Sequence, residues 1–128
     1  MVFFGEYLQS FTGPGRLVLP KKLRELLKGD TLILTKGFDF CLAGYDREDW
    51  EERAKTLINV SLLEKENLEK RRFIFSSTIY LEIDAQGRFV IPRSMIEYAG
   101  LQDKAAVIGV GDHFEIWSYA RWEKYQKG

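Results

Sequence analysis

Two copies of one pattern run through this chain, and that repeat limits the available folds more than any other feature. A gapless shift of 72 residues places Gly15-Arg16-Leu17-Val18-Leu19-Pro20 on Gly87-Arg88-Phe89-Val90-Ile91-Pro92. The same shift sets Glu25 on Glu97, Gly37 on Gly109, Trp50 on Trp122 and Glu51 on Glu123. Each match falls on a residue type with a structural use. A copy of about 50 residues is too small to bury a sufficient core alone. The two are therefore expected to interleave as halves of one pseudo-two-fold unit. Phe3, Phe4, Phe73, Phe75, Trp117 and Trp122 supply large apolar area for that interface.

Each copy opens with a strand, a polar turn holding glycine, and a second strand, which reads as a β-hairpin. In the first copy Pro14 and Gly15 take the central positions of a type II turn. In the second copy Gln86 and Gly87 occupy those places, and the Asp84 carboxylate can bond the turn backbone where Thr12 offers only a hydroxyl. Gly15, Gly87 and Asp84 are thus assigned structural roles in the turns. Pro20 and Pro92 suit the first turn of a helix. Leu23, Leu26 and Leu27 form the helical face after Pro20, and Met95, Ile96 and Ala99 the one after Pro92; Gly29 and Gly100 are the expected stops. Strands follow at 31–35 and 40–45 in copy one, and at 104–110 and 114–117 in copy two. Asp46 and Ser118 then cap helices anchored by Trp50 and Trp122. Between the copies, Ser61 and Glu64 have the capping-box spacing for a mostly polar helix reaching about Arg72. The order is β-β-α-β-β-α, a linker helix, and the same again, an α+β, β-rich class.

Composition excludes several kinds of function. One cysteine, Cys41, precludes an internal disulfide and fits a reducing cytoplasm. One histidine, His113, with no CxxC or HxxxH spacing, leaves no metal site and reads as a surface side chain. No nucleophile elbow, phosphate loop or HExxH is present, so no catalytic residue, enzyme activity, cofactor or small-molecule substrate is assigned. No apolar run reaches the roughly 18 residues of a membrane span, and no basic signal region opens the chain.

Lys+Arg and Asp+Glu both number 19. That balance excludes a generally basic DNA-coating protein but conceals segregated signs. From Arg16 to Lys28 the net charge is +4, and from Asp46 to Glu52 it is −4. A basic hairpin-and-helix face suits phosphate, and the acidic helix is expected to face away from it. Arg16 and Arg88 sit just past the hairpin tips, where arginine can meet phosphate or guanine in a major groove. A surface arginine on an edge strand would look the same in one copy; recurrence at one spacing favours DNA contact. Lys21, Lys22, Arg24 and Arg93 are the expected phosphate neighbours.

These motifs resemble a known family. The hairpin with Gly-Arg at its turn, then strand, proline and helix, is similar to the swapped-hairpin fold of AbrB-type DNA-binding proteins. The ordered series Gly5-Glu6-Tyr7, Gly15-Arg16-Leu17 with Pro20, Arg71-Arg72-Phe73, and Asp84-Ala85-Gln86-Gly87-Arg88 with Pro92 narrows the resemblance to the MraZ family. Glu97-Tyr98-Ala99-Gly100-Leu101, Gly109-Val110-Gly111 and Glu115-Ile116-Trp117 through Trp122 extend it along nearly the whole chain. The resemblance implies two tandem AbrB-like repeats, at 5–47 and 76–119, with a helical connector at 48–75 and a C-terminal helix at 120–128. It implies a cytoplasmic, nucleoid-associated transcriptional regulator of the division and cell-wall gene cluster. Such a regulator would form a ring-shaped homo-oligomer on repeated elements of double-stranded promoter DNA. The family's Asp-x-x-x-Arg motif is kept as Asp84 and Arg88, whereas copy one has Thr12 for the Asp and Pro14 for a usual Lys, with Arg16 retained. The alternative is a ring-forming protein-interaction scaffold with weakened DNA binding.

Overall fold

The computed structural model describes residues 2–61 and 63–128. Its strands and helices follow the repeated order. Copy one contributes β1 (Glu6–Ser10), β2 (Arg16–Val18), α1 (Lys21–Arg24), β3 (Thr31–Lys36), β4 (Leu42–Asp46) and α2 (Arg47–Ile58). The linker helix is α3 (Lys65–Ser77). Copy two contributes β5 (Ile79–Glu82), β6 (Arg88–Val90), α4 (Arg93–Ala99), β7 (Lys104–Gly109), β8 (Phe114–Ser118) and α5 (Tyr119–Lys127).

The strands flanking each turn do not pair with each other as a simple hairpin would. They separate into two sheets: a six-stranded antiparallel sheet ordered β1-β7-β8-β4-β3-β5, and a two-stranded ribbon of β2 and β6. Each copy lends its first strand to the other copy's edge, β1 to β7 and β5 to β3. The second strands pair across the copies, with Leu17 opposite Phe89, Arg16 opposite Val90 and Val18 opposite Arg88. Leu17 and Phe89 are equivalent in the repeat, so the pseudo-two-fold axis passes between them. It also passes the Ala43–Glu115 pair, where β4 meets β8.

Burial explains this exchange. Leu17, Leu19, Phe89 and Ile91 point from the ribbon into one core with Leu32, Leu34, Val107, Phe114 and Ile116 of the large sheet. A local hairpin would leave each small half with an incomplete core; the swap gives both halves a shared one. Hydrogen bonds from Leu19 N–H to Gly87 O and from Ile91 N–H to Gly15 O, both 2.8 Å, extend the ribbon symmetrically. Gly15 and Gly87 take φ of +70° and +84°, and a Cβ on Gly15 would stand 2.7 Å from Ile91 O. Glycine is therefore required twice over, for backbone sign and for close approach.

Several local expectations are corrected. The first turn is as expected, with Arg16 N–H donating to Gly13 O around Pro14 and Gly15. In the second, Gly87 N–H donates to Asp84 O, so Ala85 and Gln86 are central and Gly87 follows them. Pro20 and Pro92 are N-caps with extended ψ, one residue before the helices, because their carbonyls must accept the first helical N–H groups. α1 ends at Arg24, short of Gly29, whereas Gly100 closes α4 in the left-handed conformation. α3 starts at Lys65 without a capping box, since Ser61 Oγ accepts from Leu63 N–H instead, and it runs on to Ser77. Leu62, placed in that helix by the sequence reading, lies outside the described residues. Asp46 and Ser118 do cap α2 and α5.

The Gly37–Gly109 match is not a structural one. Leu32 faces the Asp46 cap and Ala105 faces the Ser118 cap, so β7 sits one residue later than the gapless shift puts it. A shorter β7–β8 turn restores the register by Phe114. Of the aromatic set, Phe3 and Trp117 are buried, Phe73, Phe75 and Trp122 are half-buried, and Phe4 is 68% exposed.

Phe89→Ala should cost about 3–5 kcal/mol, the usual range for a buried phenylalanine. The midpoint of a urea titration reads this directly. A chain holding only residues 2–73 should show no cooperative melt, since its β1 and β2 have lost both partners.

Candidate nucleic-acid interface

The ribbon has two unlike faces because side chains alternate along a strand. Leu17 and Phe89 are buried, while Arg16, Arg88 and Val90 are exposed and Val18 is half-buried on the opposite face. Arg16 and Arg88 stand diagonally across the ladder, at a spacing of about 7–8 Å typical of such neighbours. The sequence reading treated them as tips of separate hairpins; cross-copy pairing places them side by side. It also brings in Val18 and Val90, which that reading missed. Their signal was the alternation with Leu17 and Phe89 along each strand.

The two arginines are held differently. Asp84 Oδ1 accepts from the backbone N–H groups of Gln86 and Arg88, both at 2.9 Å, and Oδ2 accepts from Arg88 Nε at 2.7 Å. The Arg88 backbone N–H, then its guanidinium, then the Gln86 N–H hold the Asp84 carboxyl below its usual range. Arg16 has no carboxylate within ion-pair distance among the described residues, and Thr12 makes no side-chain hydrogen bond there. Asp30, Glu82 and Asp84 border the shallow cleft that Arg16 and Arg88 share.

Beyond the ribbon, the cations divide. Lys21 lies 4.0 Å from Glu25 and Arg93 Nε 3.0 Å from Glu97, each one helical turn along. Exposed pairs of this kind contribute little and exchange readily for phosphate. Lys22 and Arg24 have no such partner among the described residues, and the Arg24 guanidinium lies against Gly87 of the other copy. Lys28 is turned elsewhere, 3.2 Å from Glu48 and 3.4 Å from Asp49 of α2. Its hydrogen bond to Glu48, with Asp49 beside it, raises its pKa. The acidic helix thus takes up one end of the basic run. Trp50 anchors that helix, packing on Tyr45 at 5.2 Å and Phe75 at 6.2 Å. Among the described residues no three His, Cys, Asp or Glu side chains converge as a metal site would need. No described helix is long and apolar enough to cross a membrane.

Comparison with known proteins agrees with this architecture. A family described as "MraZ protein, putative antitoxin-like" matches the chain twice, over residues 2–73 and 74–128. The chain belongs to the MraZ family. A transcriptional regulator MraZ of Ligilactobacillus salivarius is 43% identical over 124 residues, covering 97% of this chain and 86% of the relative. That of Acetivibrio thermocellus is 40% identical over the same shares, and that of Roseiflexus castenholzii 38% identical over 95% and 85%. Membership in the MraZ family makes transcription regulation the coarse function of the chain.

Asp84 should register in the acid limb of stability. A carboxyl depressed on folding contributes stability above its unfolded pKa of about 3.9, and that contribution is lost as pH falls through the folded value. Asp84→Asn should therefore melt at a lower temperature than the parent at pH 7, with the gap narrowing below about pH 4. Calorimetry across that range checks it; a gap constant with pH would refute the turn role.

Proposed function

We propose that the chain is a sequence-specific DNA-binding regulator that presents the β2–β6 ribbon to a major groove. The observation that carries this reading is the ribbon itself, buried through Leu17 and Phe89 and exposing Arg16 and Arg88 as a two-fold-related pair. A two-stranded ribbon fits a groove about 12 Å wide, where arginine can take guanine O6 and N7. Val90, half exposed beside Arg16, suits a thymine methyl. Lys21, Lys22, Arg24 and Arg93 flank the ribbon as phosphate contacts, which fix register without reading sequence.

The family resemblance supports a finer form of the proposal. Identical chains assemble as a ring, and successive ribbons engage repeated elements in promoters of the division and cell-wall cluster, in the cytoplasm at the nucleoid. One ribbon buries little area, so useful affinity requires several in register, each raising the effective concentration of the next.

The test is binding to DNA from upstream of the chain's own gene against unrelated DNA, across a salt series. Arg16→Ala should weaken operator binding while assembly stays intact, and about 1–3 kcal/mol of discrimination should go with it if Arg16 reads a guanine. Lys22→Ala should weaken all sequences alike and lower the salt slope by about one ion per engaged subunit. Arg88→Ala should act more weakly than Arg16→Ala, because Asp84 already neutralises it. Equal binding of operator and unrelated DNA would favour the protein-interaction scaffold. Wild-type affinity in the Arg16→Ala, Arg88→Ala double variant would remove the ribbon from the interface.

A further inference from the structure

The pseudo-two-fold axis crosses the outer face of the large sheet at the Ala43–Glu115 pair. The gapless shift of 72 residues makes these two positions equivalent. True symmetry would set like side chains there, but the chain sets a methyl group beside a carboxylate. Beside this pair, under α2, lies a cavity of about 360 Å³. That volume falls in the range of small-molecule sites, roughly 300–1,000 Å³. Its floor is Ala43, Tyr45, His113 and Glu115, and Trp50 of α2 borders it from above. His113, read from the sequence as a surface residue, has a side chain only 19% exposed. It stacks on Tyr45 at 4.5 Å, and Trp50 packs on the same ring at 5.2 Å.

The charges around the cavity do not cancel. Arg53 borders it but is ion-paired with Asp112, whose Oδ1 also bonds His113 at 2.7 Å. Lys36 borders it through its backbone side alone. It stands opposite Leu42 in the ladder, so its side chain lies on the other face of the sheet, with the ammonium 4.9 Å from the Tyr98 ring centre. Glu115 is the charge left over. It is half-buried, its Oε1 accepts from Trp117 Nε1 at 2.9 Å, and no cationic side chain is within ion-pair distance of it among the described residues. Carboxylates withdrawn from water are ordinarily paired, because their desolvation is costly. Burial first, then the Asp112 charge and more weakly that of Glu115, raise the Tyr45 pKa, so its phenol stays neutral as a wall of the cavity.

We infer that this cavity binds a compact organic ammonium ion, its charge against Glu115 and its alkyl groups against Tyr45, Trp50 and His113. Aromatic faces attract such cations, tryptophan most strongly, and the carboxylate supplies the counter-charge. Ala43 leaves the room that a longer side chain on the axis would take. The site is separate from the ribbon. Ala43, Tyr45 and Glu115 lie on the face of the sheet opposite Leu42, Phe114 and Ile116, which belong to the core beneath β2 and β6.

Calorimetric titration of the full-length assembled protein tests this with two probes: benzyltrimethylammonium, and benzyl alcohol as an uncharged aromatic counterpart. The parent should bind the ammonium saturably at one per chain. Glu115→Gln keeps the acceptor for Trp117 and should weaken the ammonium about tenfold, leaving the alcohol within about twofold. Glu52→Gln, at an exposed acid of α2 outside the cavity, should change neither. Ala43→Leu fills the floor and should weaken both probes about tenfold or more, since the space they need is gone. Ala43→Val is the smaller filling change if the leucine variant does not fold. Absence of saturable binding to the parent overturns the inference, as does unchanged affinity in the folded filling variant. Equal loss of both probes in Glu115→Gln, or equal loss of the ammonium in Glu52→Gln, overturns the assignment of the charge to Glu115.

Discussion

The pairing of Leu17 with Phe89 is the contact on which the rest of this structure depends. Both side chains are essentially excluded from water, at 0% and 2% exposure, and they sit on the pseudo-two-fold axis where the copies meet. Because β2 and β6 pair there, β1 and β5 must seek partners elsewhere, and each finds the free edge of the other copy. Neither half owns a complete sheet. The fold is a dimer-like architecture written into one chain, and its cooperativity follows from burial that only both halves together achieve.

The same pairing creates the candidate interface. A ribbon packed through one face must expose the other, and strand alternation sends Arg16, Arg88 and Val90 there while Leu17 and Phe89 go inward. Symmetry then duplicates whatever one strand presents. Held in one polypeptide, the two presentations are free to diverge. Asp84 ties the Arg88 guanidinium to its turn, whereas Arg16 follows the Pro14-Gly15 turn without a carboxylate partner among the described residues. One arginine is oriented and partly neutralised by its carboxylate, and the other is not. The outer helices diverge in the same way: α5 lays Tyr125 against Trp117, whereas α2 carries Arg53 at the equivalent position, ion-paired with Asp112.

Charge segregation is likewise tertiary in its consequences. The positive run and the negative helix are distant in sequence, yet Lys28 lies against Glu48 and Asp49. That contact removes one cation from the basic face of the ribbon and α1 and ties α2 to the segment before β3. Zero net charge over the chain is therefore compatible with a local positive face at the ribbon and α1.

The sequence alone determined the existence of two copies, the order of their elements, the caps at Asp46 and Ser118, the first turn and the family. These are properties of neighbouring residues: periodicity, turn chemistry and capping act within a few positions. Gly15 and Arg16 were legible because a Pro-Gly turn and an exposed charge need no distant partner. Interleaving of the halves was legible through the resemblance to the swapped-hairpin fold, but which residues pair was decided only in three dimensions, since a strand–turn–strand segment carries the same local signals whether it closes on itself or opens to exchange. The shared core makes that choice. The side-by-side placement of Arg16 and Arg88 with Val90 follows from it, while the one-residue slip between β3 and β7 and the withdrawal of Lys28 are set by other tertiary contacts. The space under α2, bordered by Ala43, Tyr45, Trp50 and His113, has no local signal in the sequence, because empty space is a property of packing and not of any residue.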